Sequence, residues 1–249
     1  MKHLVNSKLS EKQKKETILL KVSGASLKSN DDSSVISLKK IESMVLQIAK
    51  ILKKYNVAIV IGGGNIWRGQ TGKNFQFDSE HSDYIGMLAT VMNANFLHAA
   101  CMKHGIPSMV FSALRVETIS NPMDFGVISN VIKKSVCIFA GGIGEPHFTT
   151  DTVAVLRAIQ IKAKKLLIGK NGVDGVYSSD PNKKGKPIFF EKLSYDHAVY
   201  KSLKIMDKTA FSLASEHDLE MIIFNIDGKD SVLNALKSNT IKTIISRKG

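Results

Sequence analysis

The chain is poor in cysteine, and its two cysteines do not suit a disulfide framework. Cys101 and Cys137 each lie inside an apolar segment of the 249-residue chain, and neither has a CxxC partner. This usage argues against a disulfide-stabilised secreted domain and against a zinc site. We therefore expect a protein of the reducing cytoplasm.

Long hydrophobic runs are also missing. No segment approaches the roughly 18 uninterrupted apolar residues of a membrane-spanning helix. The chain begins with MKHLVNSKLSEKQKKE, which is polar and lacks the apolar middle of a secretory signal. We expect residues 1–15 to form a mobile polar N-terminal arm. No linker interrupts residues 16–249, so these predict a single domain without membrane association.

Arginine is scarce for so basic a chain. The formal net charge is +13, which is a feature of many nucleic-acid-binding proteins. Only four residues are arginine, and the lysines come mostly singly or in pairs. No basic run is interleaved with aromatic residues, as a groove for single-stranded nucleic acid requires. We interpret the charge as a lysine-rich solvated surface that can concentrate anionic substrates, and nucleic acid is not an expected partner.

What the chain does contain is a regular alternation of apolar strands with amphipathic helices. This alternation predicts parallel βαβ units in a doubly wound α/β sheet. A turn-rich stretch over residues 171–187 predicts a hairpin. The strands are expected at residues 17–24, 57–61, 108–112, 135–140, 166–170, 220–226 and 240–246, and the main helices at residues 35–55, 82–105, 121–134 and 149–165.

Glycine-rich loops follow three of the predicted strands. They are Gly62-Gly63-Gly64-Asn65, Gly141-Gly142-Ile143-Gly144 and Lys170-Asn171-Gly172, and a fourth strand ends in Lys21-Val22-Ser23-Gly24. Parallel strands bring their carboxyl ends to one edge of the sheet, where ligands bind. Glycine lets backbone N–H groups approach an anion closely, and a following helix N-terminus favours negative charge. The loops therefore predict a phosphate cradle, with Lys21 and Arg68 as its cations.

Two standard nucleotide motifs are absent from these loops. No GxxxxGK[ST] sequence occurs, and neither GGGNIW nor GIGEPH has the third glycine of a dinucleotide fingerprint.

Several acidic residues could have structural rather than functional roles. Asp83, Asp207 and the FTTD segment at residues 148–151 each stand near a predicted helix start and could be caps. Asp174 and Asp180 lie in a turn, where aspartate is common. The histidines show no spacing typical of metal ligands, so no metal site made by protein residues is predicted.

Six motifs together resemble the bacterial uridylate kinases (UMP kinases) of the amino acid kinase family. They are KVSG, VIGGGNIWRG, DYIGMLATVMNA, FTTDTVAVLRA, VDGVYSSDP and LKIMDKTAF, in the same order and spacing, and the resemblance covers about residues 17–246. GMLATVMN with FTTD is more particular to the UMP kinases than the shared glycine loop.

The resemblance implies a three-layer αβα sandwich of the amino acid kinase type with a mainly parallel central sheet. It implies transfer of the γ-phosphoryl group of MgATP to UMP, giving UDP in pyrimidine nucleotide biosynthesis, by a homohexamer. The acceptor half is expected over about residues 16–165 and the ATP-binding half over about residues 166–249. Mg²⁺ is expected to bind together with ATP.

The resemblance also assigns residues to each ligand. The transfer itself is expected to use Lys21 and Arg68, with Asp151 and Asp207 orienting Lys21 or the hydrated metal ion. ATP is expected to contact Lys21, Val22, Ser23, Gly24, Gly64, Arg68, Asn171, Tyr177 and Asp180. UMP is expected to contact Gly63, Asp83, Ile143, Gly144, Glu145, Pro146, His147, Phe148, Thr149 and Thr150.

Two alternatives stay open. One is another kinase of the same family that acts on a carboxylate or carbamate. The other is a non-catalytic basic protein that binds RNA or senses uridine nucleotides.

Overall fold

The computed structural model describes residues 15–29, 34–181, 186–201, 203 and 205–249. The predicted N-terminal arm lies outside this part of the chain, except for its last residue, Lys15. Parts of two predicted loops, at residues 29–34 and 171–187, also lie outside it.

The strands within the described residues are β1 Glu16–Val22, β2 Tyr55–Ile61, β3 Ser108–Ser112, β4 Asn121–Pro122, β5 Val136–Ala140, β6 Lys165–Lys170, β7 Val176–Tyr177, β8 Phe189–Phe190, β9 Lys192–Ser194, β10 Glu220–Asn225 and β11 Thr243–Ser246. Nine of them form one sheet, in the order β4-β3-β5-β2-β1-β6-β10-β11-β9. The other two, β7 and β8, form a separate antiparallel pair. A hairpin was predicted within residues 171–187, and only β7 lies in that range.

The sheet is parallel except at one edge. Along the sheet, the seven strands from β4 to β10 pair in parallel. Strand β11 pairs antiparallel with β10, and β9 pairs in parallel with β11. The expectation of a mainly parallel sheet is therefore confirmed. The antiparallel edge was not predicted, because an apolar run such as Thr243–Ser246 looks the same in either direction.

Eight α-helices and one short 3-10 helix occur in the described residues and cover both faces of the sheet. They are the 3-10 helix Gly24–Leu27, α1 Leu38–Ile51, α2 Gly69–Asn74, α3 Ser79–Lys103, α4 Phe125–Val131, α5 Thr150–Gln160, α6 Tyr195–Tyr200, α7 Lys208–Glu216 and α8 Ser231–Ala235.

One predicted helix start is wrong. Asn121 and Pro122 were expected to open a helix, but they form β4, an edge strand paired with the end of β3. The helix α4 begins later because the Asp124 carboxylate accepts hydrogen bonds from the backbone N–H groups of Gly126 and Val127. Proline suits the edge position, since it has no N–H to donate to a neighbouring strand.

The core consists of two apolar layers, one on each face of the sheet. Alternate residues of a strand point to opposite faces, so Leu20 and Val22 of β1 belong to the layer under α1, α3 and α8, whereas Leu19 belongs to the layer under α5 and α7. Residues of α1 at positions 41, 44, 45, 48 and 51 are buried, which is the spacing of one helix face. The three-layer sandwich is confirmed.

The long helix α3 packs against β3, β5 and α1. By length and composition alone, it is the one helix among the described residues that could cross a membrane, although its apolar window is 44% buried inside the protein. Its outer face carries a row of exposed apolar side chains at four-residue spacing, namely Tyr84, Leu88, Met92 and Phe96.

Candidate active site

Two of the cavities at the carboxyl edge of the sheet lie on opposite sides of β1, and a third, of about 480 Å³, lies between α1 and α8. The first is about 380 Å³ and lies at the ends of β2 and β5, and the second is about 580 Å³ and lies at the ends of β6 and β10. Both volumes are within the range of small-molecule sites. The strand order β2-β1-β6 places the end of β1 between them.

Lys21 occupies this central position, as the penultimate residue of β1. It is only 7% exposed, and its Nζ lies 2.7 Å from Oδ1 of Asp151. That oxygen accepts no well-aligned hydrogen bond, so the contact is an ion pair defined by distance rather than by angle. The ion pair fixes the position of the Lys21 ammonium group beside Asp151.

The three consecutive glycines after β2 differ in what a side chain at each position would contact. A Cβ atom on Gly62 would come within 3.1 Å of the backbone N of Gly24, and one on Gly63 within 2.6 Å of the carbonyl oxygen of Gly86 in α3. A Cβ atom on Gly64 would meet nothing nearer than Arg68 Cγ, at 3.9 Å. Gly62 and Gly63 thus let parts of the chain pack together, whereas Gly64 alone has room for a side chain. Gly63 and Gly64 both line the first cavity.

A buried pair of amides fastens this loop to α3. Asn93, which is fully buried, donates hydrogen bonds from Nδ2 to the carbonyl oxygen of Gly62 (2.7 Å) and to Oδ1 of Asn65 (2.7 Å). Asn65 in turn donates to the carbonyl oxygen of Val35. The sequence analysis named Asn65 only as part of the strand-end loop, without a role, and it missed Asn93. The available signal for Asn93 was a polar asparagine within an otherwise apolar helical stretch.

The loop after β5 is fixed in a similar way. Thr90 of α3 accepts a hydrogen bond from the backbone N–H of Gly141 (2.8 Å), and Arg157 of α5 donates to the carbonyl oxygen of Gly142 (3.0 Å). Gly141 has φ +70°, and a Cβ atom there would lie 2.6 Å from Ser112 Oγ, so only glycine fits. Burial lowers the pKa of Arg157 to about 10. Through its hydrogen bond to Gly142, the Arg157 guanidinium fixes the loop after β5. The sequence analysis did not predict this contact.

Asp83 is not the helix cap that the sequence left open. The N-cap of α3 is Asp78, which accepts a hydrogen bond from the backbone N–H of His81. Asp83 lies in the next turn, lines the first cavity, and accepts a hydrogen bond from the backbone N–H of His147 (2.7 Å). It therefore links α3 to the loop after β5 at the mouth of the cavity.

Asp207 joins the first turns of two helices. It caps α7 by accepting a hydrogen bond from the backbone N–H of Ala210 (2.9 Å), and it accepts hydrogen bonds from the hydroxyls of Thr149 and Thr152 at the start of α5. Burial alone would raise the pKa of Asp207, but these hydrogen bonds outweigh it and hold the pKa below its ordinary value. Two positive helix ends thus meet near Lys21, which favours bound anions.

The second cavity has polar walls. Asn171, Tyr177 and Asp180 line it together with Lys170. The Asn171 side chain accepts hydrogen bonds from the hydroxyls of Ser23 and Ser26 (both 2.9 Å) and donates to Asp227 (2.7 Å). The end of β6 is thereby tied to the loop after β1, which places this cavity next to Lys21.

Residues 16–225 match the model of the amino acid kinase family. The chain belongs to the amino acid kinase family. A uridylate kinase from Mycoplasmoides gallisepticum is 42% identical over 93% of this chain and 99% of its own length.

Solved structures agree. A UMP kinase from Ureaplasma parvum is 40% identical, with a TM-score of 0.91 over 94% of this chain and 99% of that protein. A UMP kinase from Bacillus anthracis is 29% identical, with a TM-score of 0.89 over 94% of this chain and 97% of that protein. Within the family, the chain is therefore similar to the uridylate kinases along nearly its whole length.

The residues predicted for this family's acceptor site fall mainly on the first cavity. Those that line it are Gly63, Asp83, Glu145, Pro146, Phe148, Thr149 and Thr150. Ile143 instead packs against the core layer under α5, the Gly144 N–H donates to the carbonyl oxygen of Gly141, and His147 meets Asp83 through its backbone.

The residues predicted for ATP divide between the two cavities. Asn171, Tyr177 and Asp180 line the second cavity, but Gly64 and Arg68 line the first, where Arg68 Nε donates to the carbonyl oxygen of Gly64 (2.7 Å). The Val22 side chain is buried in the core, so only its backbone faces the edge. Of the two predicted orienting aspartates, Asp151 contacts Lys21, whereas the contacts of Asp207 are to threonines and α7.

Proposed function

We propose that this protein transfers the γ-phosphoryl group of ATP to UMP, giving UDP and ADP, as a step of pyrimidine nucleotide synthesis. The observation that carries the proposal is the placement of Lys21 between two cavities of nucleotide size. A phosphoryl group can pass directly from one ligand to another only if both are held with their phosphates adjacent.

The first cavity is assigned to UMP. Arg68 and the backbone of Gly63 and Gly64 lie where they could bind its phosphate, since an exposed guanidinium binds phosphate oxygens in pairs. Asp83 could accept hydrogen bonds from the ribose hydroxyls. The loop that includes Glu145 and Phe148 would then face the base. This assignment moves Gly64 and Arg68 from the ATP side to the UMP side.

The second cavity is assigned to ATP. Tyr177 offers an aromatic face for the base, with Asn171 and Asp180 on the same wall. The segment Lys21–Gly24 leads from there to the centre of the site, so it is placed to contact the ATP phosphates. The hydrogen bonds that tie Asn171 to Ser23 and Ser26 support this path, because they join the two stretches directly.

The chemistry needs positioning and charge more than a proton acceptor. A phosphomonoester loses its second proton with a pKa of about 6, so the attacking oxygen of UMP is already anionic. Lys21, held by Asp151, would neutralise the charge that develops on the transferred group, and the N-termini of α5 and α7 would add positive potential. No histidine is required as a general base.

The residues fit a magnesium ion that arrives with ATP. No group of three or more His, Cys, Asp or Glu residues close enough to hold a metal occurs in the described part of the chain. Mg²⁺ in kinases is commonly held by one or two carboxylates together with substrate phosphates. Asp151 is the carboxylate best placed to bind it, and the ion would neutralise charge on the β- and γ-phosphate oxygens.

We also propose a division of the chain into two halves, an oligomeric state and a cellular location. The first cavity is built mostly from residues 60–153 and the second from residues 170–223, which agrees with an acceptor half and an ATP-binding half. The exposed row Tyr84, Leu88, Met92 and Phe96 on α3 supports a homo-oligomer, consistent with the expected homohexamer. The two buried, unpaired cysteines suit a cytoplasmic location.

A substrate panel tests the proposal. The purified protein is given MgATP with UMP, CMP, dUMP, N-acetylglutamate, aspartate or carbamate in turn, and ADP formation is measured. We expect rapid ADP formation with UMP, and none with the carboxylates or carbamate. Phosphorylation of a carboxylate or carbamate without activity on UMP would make the protein a different kinase of the same family. Tight, sequence-selective RNA binding without kinase activity would contradict the proposal altogether.

A further inference from the structure

Lys170 is a second lysine that reaches the centre of the site. It is the last residue of β6, and Ile168, two residues earlier, pairs with Lys21 in the parallel register. Leu19 of β1 and Ile168 of β6 both belong to the core layer under α5 and α7. Because residues two apart share a face of a strand, Lys21 and Lys170 extend from the same face at the same edge.

The ammonium group of Lys170 is held by one hydrogen bond, which leaves other N–H donors available. Its Nζ donates a hydrogen bond to the carbonyl oxygen of Ile205 (3.1 Å), two residues before the cap of α7. An ammonium group has three donors, so two remain for other acceptors. Lys170 lines the second cavity beside Asn171 and Tyr177, so these donors have access to a ligand there.

The charge of Lys170 lacks a paired carboxylate within the described residues. At the other end of the same strand, Lys165 forms a salt bridge with Glu220 (2.7 Å), and Lys21 has Asp151 (2.7 Å). No such salt bridge to Lys170 occurs in the described part of the protein. Burial lowers the pKa of Lys170, the charge of Asp151 raises it, and that of Lys21 lowers it. A partly buried cation that forms no salt bridge is costly unless an anion binds to it.

We propose that Lys170 binds the phosphate chain of the donor nucleotide, from the side of β1 opposite to Arg68. This rests on the proposed function for the identity of the donor as a nucleoside triphosphate. Lys21 is compensated by Asp151, so Lys170 supplies the net positive charge on the donor side of the reaction centre. The two lysines and Arg68 then surround the transferred group from three strand ends.

Binding measurements on the full-length protein test this inference. Lys170→Met removes the charge and keeps the length of the side chain, Lys170→Arg keeps the charge, and Lys165→Met is the matched control on the same strand. Calorimetry with ATP and with adenosine separates phosphate binding from base binding. We expect Lys170→Met to weaken ATP binding about ten- to hundredfold and to leave adenosine binding unchanged. Lys170→Arg should recover part of the loss, and Lys165→Met should bind ATP as the wild type does.

Steady-state kinetics add a second readout. Lys170→Met should raise KM for ATP while KM for UMP stays within about twofold. Unchanged ATP affinity in Lys170→Met would overturn the inference, and so would an equal loss for ATP and adenosine, which would indicate that Lys170 only supports the segment at Ile205. If no acceptor in the substrate panel were phosphorylated, the proposed function would fail. The calorimetry would still decide whether Lys170 binds phosphates.

Discussion

The two cavities are built in contrasting ways. The wall of the first is made of glycine loops whose backbone is fastened by buried side chains, notably Asn93, Thr90 and Arg157. At its Asn171 end, the wall of the second is fastened by exposed polar side chains, chiefly Asp227, which accepts hydrogen bonds from Asn171 and from the backbone N–H of Gly172 (both 2.7 Å). At β7 the same wall has a buried hydrogen bond, from the backbone N–H of Val176 to the hydroxyl of Thr243 (2.8 Å).

The contrast predicts different effects of mutations in the two walls on stability and on ligand binding. Buried hydrogen bonds cannot be replaced by water, so damage to the first wall should reduce both stability and acceptor binding. Exposed hydrogen bonds exchange readily with water, so damage to the Asn171 end of the second wall should affect donor binding with little loss of stability. Lys21 lines neither cavity, but it stands between them at the end of β1.

Removing the central charge should have the largest effect. Lys21→Met should lower kcat by roughly 10²–10³ while KM for UMP changes by no more than about twofold, because the charge is needed mainly in the transition state. Steady-state kinetics with both substrates measure this. The variant leaves Asp151 unpaired, so the double variant Lys21→Met with Asp151→Asn is the control for stability: its Tm should recover. Its kcat should stay low, and Asp151 as the proposed Mg²⁺ ligand contributes to that loss. Near-wild-type turnover in either variant would remove Lys21 from the reaction centre.

The acceptor side alone should respond to a change at Asp83. Asp83→Asn keeps the size of the side chain and removes its charge, so KM for UMP should rise about tenfold or more and KM for ATP should not change. Titration with UMP and with ATP measures both. An unchanged UMP affinity with weakened ATP binding would mean that the two cavities are assigned the wrong way round.

The contrast in stability can be tested with one variant from each wall. Asn93→Ala should cost about 1–3 kcal/mol, because it leaves the carbonyl oxygen of Gly62 and the side chain of Asn65 short of a buried donor. Asp227→Ala, at an exposed position, should cost less than about 1 kcal/mol and raise KM for ATP. Chemical denaturation followed by circular dichroism gives the free energy of unfolding for both. Equal losses would contradict the proposed difference between the walls.

The smallest effect is expected in the acid dependence of stability. Because the pKa of Asp207 is lowered in the folded protein, its ionised carboxylate stabilises the fold above the ordinary value of 3.8, and this contribution is lost as pH falls through the folded-state pKa. The difference in Tm between the wild type and Asp207→Asn should therefore be constant from pH 7 to about 5 and shrink below about 4. A difference that persisted unchanged at lower pH would show that the contacts of Asp207 do not depend on its charge.

Much of the fold followed from local pattern. Runs of β-branched residues located the main strands of the sheet, and the glycines after them marked the edge where the cavities open. The structure placed β4 where a helix start was expected, because Asp124 is a better cap than the Asn121-Pro122 pair and the edge of β3 was available for pairing.

The parts of the site that escaped prediction depend on tertiary contacts. Nothing near Asn93 or Arg157 in sequence shows that they reach the glycine loops, because their partners are 31 and 15 residues away. The same holds for Lys170, which the sequence placed at a strand end without a role. Arg68 was predicted to bind phosphate, but only the path of the chain after Gly64 shows which cavity it lines.

The most direct measurement is a crystal structure of the protein with UMP and a non-transferable ATP analogue bound together. The account predicts the uridine ligand in the cavity lined by Asp83 and Arg68, the adenosine ligand in the cavity lined by Tyr177, and the two facing phosphates within hydrogen-bonding distance of Lys21 Nζ. Phosphates that met away from Lys21, or both nucleotides bound on one side of β1, would contradict it.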